Sequence, residues 1–342
     1  MQKTLILDFQ KLLLLFAVLI LLLPGHGQAQ LEKTKPVKLK VALLPYLSFA
    51  PHFIAAEEGY FSEQGLQVEF LKFSQGFRTV VALTRGELDV SSGAISSGLI
   101  NAMAKEGKLK VVSDRGHLDP ERFTYLATVG NANLIEEIER YGSSRMTGRR
   151  IAVDPGGIQA YYASQMLRQM GLTVKDVKIV EVPVAVKLEA IQAGSLDLAV
   201  ESEPWLTRLL RGGKTRVWMP AEKVIPGYQV GVVIYGPNLL EKNPDAGKRF
   251  MVAYLKAVRQ YSRGKTERNL EILSKHTDLD KEILKQVCWP TFRDTGKINI
   301  QSLFDFQAWA VEQDYLAGTI KEDRFWDSRF IEHANRVLGE KK

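Results

Sequence analysis

A chain of 342 residues, 45% of them hydrophobic, can bury two cores of ordinary domain size. Its 46 basic and 39 acidic residues leave a net charge of +7, with no run of five like charges and no basic stripe interleaved with aromatics. That balance argues against a nucleic-acid surface. The single cysteine, Cys288, excludes an internal disulfide and any multi-cysteine metal site; its apolar neighbours Val287 and Trp289 mark it as a buried structural thiol. His26, His52, His117, His276 and His333 hold no pair at ligand spacing, so no metal site is expected.

Residues 1–29 read as a cleavable export signal. Lys3 and Lys11 precede an apolar run from Leu12 to Leu23, and Gly27-Gln28-Ala29 places small residues at the −3 and −1 positions. Twelve apolar residues reach only ~18 Å as a helix, short of a membrane crossing. No cysteine stands near the cleavage position to carry a lipid. The expected location is periplasmic.

After the polar linker Gln30 to Val37, Lys38 to Leu43 alternates as a strand does. Pro51 to Glu58 is a short helix stopped by Gly59, and Leu66 to Phe70 alternates again. Gly76 opens a helix that runs into Ala82-Leu83-Thr84-Arg85-Gly86-Glu87-Leu88-Asp89-Val90. A weaker copy recurs as Ala190-Ile191-Gln192-Ala193-Gly194-Ser195-Leu196-Asp197-Leu198. Each copy reads as a last helical turn, a glycine able to take the left-handed cap, and a short apolar strand. Small or polar residues follow, Ser92-Gly93-Ala94 in one copy and Glu201-Ser202-Glu203 in the other. Ligands of parallel α/β sheets sit just past such strand ends, so two copies suggest two lobes facing across a cleft.

Between the copies, Ser96 to Lys105 is helical, Leu109 to Val112 is a strand, and the apolar Phe123 to Val129 crosses between lobes. Gly148 to Val153 opens a second alternating set that ends in Asp154-Pro155-Gly156-Gly157, the start of a helix through Tyr162 and Met166. Gln229 to Tyr235 reads as the returning crossover strand. From Asn243 onward the chain is helical.

The segment Ala50-Pro51-His52-Phe53-Ile54-Ala55-Ala56-Glu57-Glu58-Gly59-Tyr60-Phe61, followed by Gly65-Leu66-Gln67-Val68-Glu69-Phe70, resembles the opening of ABC-transporter solute-binding proteins for sulfonates, taurine, nitrate and thiamine-pyrimidine precursors. Both Ala-x-x-x-Gly-x-Leu-Asp units, Gly148 to Val153, and Glu203-Pro204-Trp205 resemble the same family, over roughly residues 38–260. The resemblance implies an α/β fold of the type II periplasmic-binding-protein kind, two lobes with crossover hinge segments and a ligand cleft. The boundaries expected are 1–29 for the signal, 30–122 for lobe one, 123–228 for lobe two, and 229–342 for the return crossover and C-terminal helices on lobe one. The implied role is a non-catalytic, monomeric receptor for a small molecule, delivering it to an ABC permease with its ATPase, with no bound cofactor. An enzyme on the same scaffold, such as a lyase or precursor synthase, and a periplasmic sensor are the alternatives.

The family's contact positions fall here on Tyr46, Ser48 and Phe49; on Ser92, Gly93 and Ser96; on Gly156, Gly157 and Gln159; and on Glu201 and Trp205. Gly156 and Gly157 would leave N–H groups free at a helix start, where partial positive charge attracts an anionic head group. Tyr46, Phe49 and Trp205 could flank a flat ligand body, and Arg78 could pair with a carboxylate or sulfonate. Glu201 disfavours a purely anionic ligand unless Arg78 or a ligand amine compensates it. His52 is read as packing inside its helix, and Glu203 as a cap. An enzyme would have only Glu201 and His52 to draw on. The thiamine-precursor branch has a histidine where Phe49 stands and, in its enzymes, a cysteine cluster, and this chain has neither.

Overall fold

The computed structural model describes residues 35–339 except positions 123, 124, 212 and 278, so the export signal expected at 1–29 lies outside the described residues. Lobe one is built on β1 (Val37–Leu43), β2 (Leu66–Lys72), β3 (Val90–Ala94) and β4 (Lys110–Asp114), joined by β10 (Gly231–Tyr235) in the order β2-β1-β3-β10-β4. Lobe two uses β5 (Leu126–Asn131), β6 (Arg150–Ala152), β7 (Lys178–Val180), β8 (Leu198–Ser202) and β9 (Thr215–Pro220) in the order β7-β6-β8-β5-β9. The two sheets share one design. In each, the middle strand pairs in parallel with two neighbours, and one antiparallel strand, β10 or β5, is inserted beside the third.

Helices cover both sheets: α1 (Ala50–Glu57), α2 (Gly76–Thr84), α3 (Ser97–Glu106), α4 (Ala132–Tyr141), α5 (Ile158–Gln169), α6 (Lys187–Gln192) and α7 (Trp205–Leu210). Toward the C-terminus follow α8 (Pro244–Tyr261), α9 (Glu267–Thr277), α10 (Ile300–Glu312) and α11 (Arg329–Leu338). Asn243 caps α8 through the N–H of Ala246, and Pro244 fits its first turn. Its apolar face, with Phe250, Met251, Tyr254 and Val258, is buried against α1 and lobe one's sheet. Each such side chain contributes roughly 1.5–3 kcal/mol by leaving water. Helices α8, α9 and α11 pack on lobe one. Helix α10 lies between α3 and α5, with Phe306 and Trp309 6.1 and 5.5 Å from the Tyr161 ring of lobe two.

The two sequence copies adopt the same backbone for the same reason. At the end of α2 the N–H groups of Gly86 and Glu87 donate to the carbonyls of Leu83 and Ala82. At the end of α6 Gly194 and Ser195 donate to Ile191 and Ala190 in the same way. This paired closure needs a left-handed residue, supplied by Gly86 at φ +72° and Gly194 at φ +70°. Leu88 and Leu196 are then buried. Asp89 accepts the N–H of Lys40 in β1 at 2.7 Å, and Asp197 accepts that of Arg150 in β6 at 2.8 Å. The aspartates therefore tie the loop before their own strand to a neighbouring one, at mid-β1 for Asp89 and at the start of β6 for Asp197, away from the cleft end of each sheet.

Two segments carry the chain between lobes, 115–125 after β4 and 221–230 before β10. Gln229 ties them together. Its amide donates to the Asp114 carboxylate and the Gly116 and Gly231 carbonyls, and its oxygen accepts from Arg293 and the Asn299 N–H. Residue 117 bridges to both 229 and 291, so three stretches of backbone run side by side at the hinge. No helix among the described residues is long and apolar enough to cross a membrane.

Candidate functional site

On lobe one, the residues after the carboxyl ends of β1, β3 and β4 converge. Tyr46, Ser48 and Phe49 follow β1, Ser92 and Gly93 close β3, and Arg115 follows β4. Arg115 is only 6% exposed. Its Nη1 donates to the Ser48 hydroxyl, its Cζ lies 4.9 Å from the Phe49 ring centroid, and its Nε has no partner. The neighbouring Asp114 does not neutralise it directly. Asp114 spends its carboxylate on the N–H groups of Gly116 and Arg293, on Gln229 and on His117. Burial pulls the Arg115 pKa down, yet a guanidinium stays protonated in proteins. An ionised group so placed costs several kcal/mol unless an anion answers it.

Beside it, His52 is fully buried and shares a 3.3 Å hydrogen bond through Nε2 with the Ser92 hydroxyl. Burial, and then Arg115, lower its pKa to about 3, so the ring is neutral. It packs against Phe49 and Tyr254 at 5.4 and 5.1 Å, which is the packing role the sequence suggests. Gly93 is buried, but a Cβ placed on it would meet nothing within 4 Å. There is open space above it.

Lobe two offers carboxylates at its corresponding strand ends: Asp154 after β6, Glu181 after β7 and Glu201 within β8. Glu201 is buried and accepts from Nζ of Lys187, itself buried, and from the Ser202 N–H. Burial raises the Glu201 pKa while the Lys187 ammonium lowers it. The compensation that the sequence assigned to Arg78 or a ligand amine thus comes from Lys187. Asp154 lies open at the mouth. Partial enclosure, then repulsion from Glu181 and Glu201, raises its carboxyl pKa against the opposing pull of the Lys187 ammonium. Tyr46 stands between the walls. Burial, then Glu201 and Asp154, raise its phenol pKa, and Arg115 opposes them.

The lobes also touch directly. Leu47 N–H donates to the Glu203 carbonyl at 3.1 Å, and Trp205 Nε1 to the Pro45 carbonyl at 3.1 Å. Ser97 N–H donates to Gly156 at 2.8 Å, and Ile158 N–H to Ile95 at 3.1 Å. This corrects the expectation of a free N–H group at Gly157. The Gly157 N–H is taken by the Asp154 carbonyl and the next one by lobe one, so the start of α5 clasps the opposite lobe. Gly156, at φ +68°, has no room for a Cβ, which would fall 2.6 Å from Ser97 Oγ.

Ser96 caps α3 through the Leu99 N–H, and Gln159 turns back to accept the Asp154 N–H. Trp205 carries Arg208 over one ring face at 4.6 Å. Glu203 holds Thr207 through both carboxylate oxygens, a capping role. Arg78 is exposed beside Phe77 and takes no part in the buried cluster. Cys288 is half-buried, and burial raises its thiol pKa. Among the described residues no three or more His, Cys, Asp or Glu side chains could hold a metal ion. Sequence reasoning missed Arg115 and Lys187. The charged run Asp114-Arg115 at the end of an apolar strand is the only local hint of the first.

The model of the NMT1-like family matches residues 32–274. A Brucella abortus protein, described provisionally as a binding protein, is 23% identical over 239 residues, 68% of this chain and 69% of its own. The ligand-binding component of an ABC-type import system from Staphylococcus aureus, solved with zinc bound, superposes with a TM-score of 0.73 at 17% identity, over 88% of this chain and 99% of that one. The periplasmic nitrate-binding protein NrtA from Synechocystis also reaches 0.73, at 16% identity over 89% and 90%. The fold is therefore that of the periplasmic binding proteins.

Proposed function

This chain belongs to the NMT1-like family, and on that premise we propose that it is the solute receptor of an ABC importer, exported to the periplasm by a cleaved signal. It binds a small organic ligand bearing an anionic group between its lobes, as a monomer without catalysis, and presents it to a permease and ATPase. One observation carries the ligand assignment. Arg115 is a buried guanidinium at the cleft end of lobe one with no carboxylate against it, bonded to Ser48 and packed over Gly231. An incoming anion supplies the missing counter-charge, and contacts from Tyr46 and the segments at Gly156 and Glu201 let the ligand favour lobe closure.

A thermal-shift screen against alkyl and aryl sulfonates, aromatic carboxylates, pyrimidines and nitrate tests this. Ligand at a hundred times its dissociation constant stabilises a receptor by about 2.7 kcal/mol. The expected result is a higher midpoint with one anionic class, ligand recovered unchanged, and no shift in Arg115→Gln. Consumption of the ligand, or no shift with any class, would overturn the proposal.

A further inference from the structure

Each lobe carries a groove at the end away from the cleft, and the two grooves differ in charge. In lobe one, where Asp89 accepts the Lys40 N–H, the groove is lined by Lys38 and Lys40 against Glu69, Glu87 and Asp89. In lobe two, where Asp197 accepts the Arg150 N–H, a groove of about 490 Å³ is lined by Arg145, Arg149, Arg150 and Lys178 against Asp197. The register of the sheets sharpens the contrast. Lys40 lies beside Glu69 of β2, an opposite charge, whereas Arg150 lies beside Lys178 of β7, a like charge. Like charges side by side across strands destabilise a sheet. Lobe one makes the same aspartate bond without them, so the scaffold does not call for the cations of lobe two.

Asp197 answers only part of that charge. It takes Nε of Arg150 at 2.8 Å and stands 3.6 Å from Arg149. Glu137 reaches Arg149 alone, at 3.9 Å. Asp176, whose carbonyl accepts the Gly148 N–H, has its carboxylate held by the N–H and hydroxyl of Thr173. The head groups of Arg145 and Lys178 are exposed and form no hydrogen bond or ion pair with the described residues, and Arg145 rests 5.1 Å over the Tyr141 ring. Gly148 also lines the groove, and a Cβ placed on it would meet nothing within 4 Å, so the space there is open. An anion of one charge leaves cations over. A group with two or more negative charges and several acceptor oxygens matches guanidinium forks and an ammonium together. We infer that this groove is a second ligand site, taking a soluble molecule that carries a doubly charged phosphate or a diphosphate, held by Arg145, Arg149 and Lys178. The site stands independently of the cleft and its solute.

Calorimetric titration of the mature chain with inorganic pyrophosphate tests this, with dimethyl phosphate, a diester of one charge, as the comparison. The expected result is pyrophosphate binding about tenfold or more tighter than the diester, weakened by about tenfold or more in the double variant Arg145→Ala, Lys178→Ala. Both side chains are exposed, so this variant should fold with an unchanged thermal midpoint. The double variant Lys38→Ala, Lys40→Ala removes the same net charge from the groove of lobe one, and its affinity should stay within about twofold of wild type. That control separates a seat for the ligand from a general effect of charge. The inference is overturned by no binding of pyrophosphate, by equal binding of the diester, or by equal losses in the two double variants. Binding to vesicles containing phosphatidylglycerol, with none to pyrophosphate, would also overturn it and assign the basic face to a lipid surface. None of these failures touches the receptor reading, which the cleft screen and Arg115→Gln decide.

Discussion

Arg115 and His52 lie in one buried layer, and burial acts on them in opposite ways. An arginine does not shed its proton, so Arg115 keeps its charge in the buried layer, with Asp114 acting on it only through space. A histidine can, and His52 does: its pKa falls from 6.5 to about 3 through burial first and Arg115 second. The sign of the linkage follows. The unfolded chain takes up a proton near pH 6.5 and the folded one only near 3, so stability present above 6.5 is lost as pH falls through that window. The slope is about 1.4 kcal/mol per pH unit for this one group. His52→Gln, which retains a polar atom for Ser92, removes that slope. Between pH 7 and pH 5 the stability difference between wild type and variant, measured by urea unfolding, should shift by roughly 2 kcal/mol in the variant's favour. A constant difference would show that His52 is not buried neutral. The packing of His52 was legible in its helix, but the partners of the two residues were not, because Ser48 lies 67 positions from Arg115 and Ser92 lies 40 from His52.

Among the elements, the helix–glycine–strand unit was legible because each of its residues answers to a local rule. The glycine takes the left-handed cap, the leucine enters the core, and the strand leaves the helix at once. What local rules left out was the aspartate's partner, a backbone N–H one strand away, visible only once β1 and β6 are paired. The unit is scaffold, and the cleft lies at the other end of its strand. Asp89→Ala and Asp197→Ala should therefore each lower stability by about 0.5–1.5 kcal/mol, the range for a partly exposed hydrogen bond, with the larger loss at the more enclosed Asp197. Ligand affinity, measured by titration of the folded variants, should stay within about twofold of wild type. A selective loss of affinity at unchanged stability would place these aspartates in the site instead. The start of α5 shows the reverse case. Its glycines were legible as a helix opening, but the Gly156 carbonyl and the Ile158 N–H went to the other lobe, a choice that depends on how the lobes meet.

For the molecule as a whole, strand–helix alternation and the repeated unit anticipated two sheets and a cleft, and the structure shows why they recur. Each lobe is a four-strand α/β unit that takes its antiparallel strand, β10 or β5, from a crossover segment. That exchange places Gln229 and Asp114 at a buried node joining both crossovers to the segment at 291–299. Arg115 is the next residue along the first crossover, so the proposed anion seat and the hinge share one stretch of backbone. Sequence patterns did not reveal this, because the node is assembled from three distant stretches. The account's central claim is that a ligand in the cleft draws the lobes together. The direct measurement is the distance between labels at Glu87→Cys and Lys178→Cys, exposed positions at the far ends of the two sheets, in a Cys288→Ser background. A solute that raises the thermal midpoint should move this distance to a single, shorter and narrower distribution. A distance unchanged at saturating solute would contradict closure, and with it the reading of this chain as a receptor whose two lobes grip their ligand.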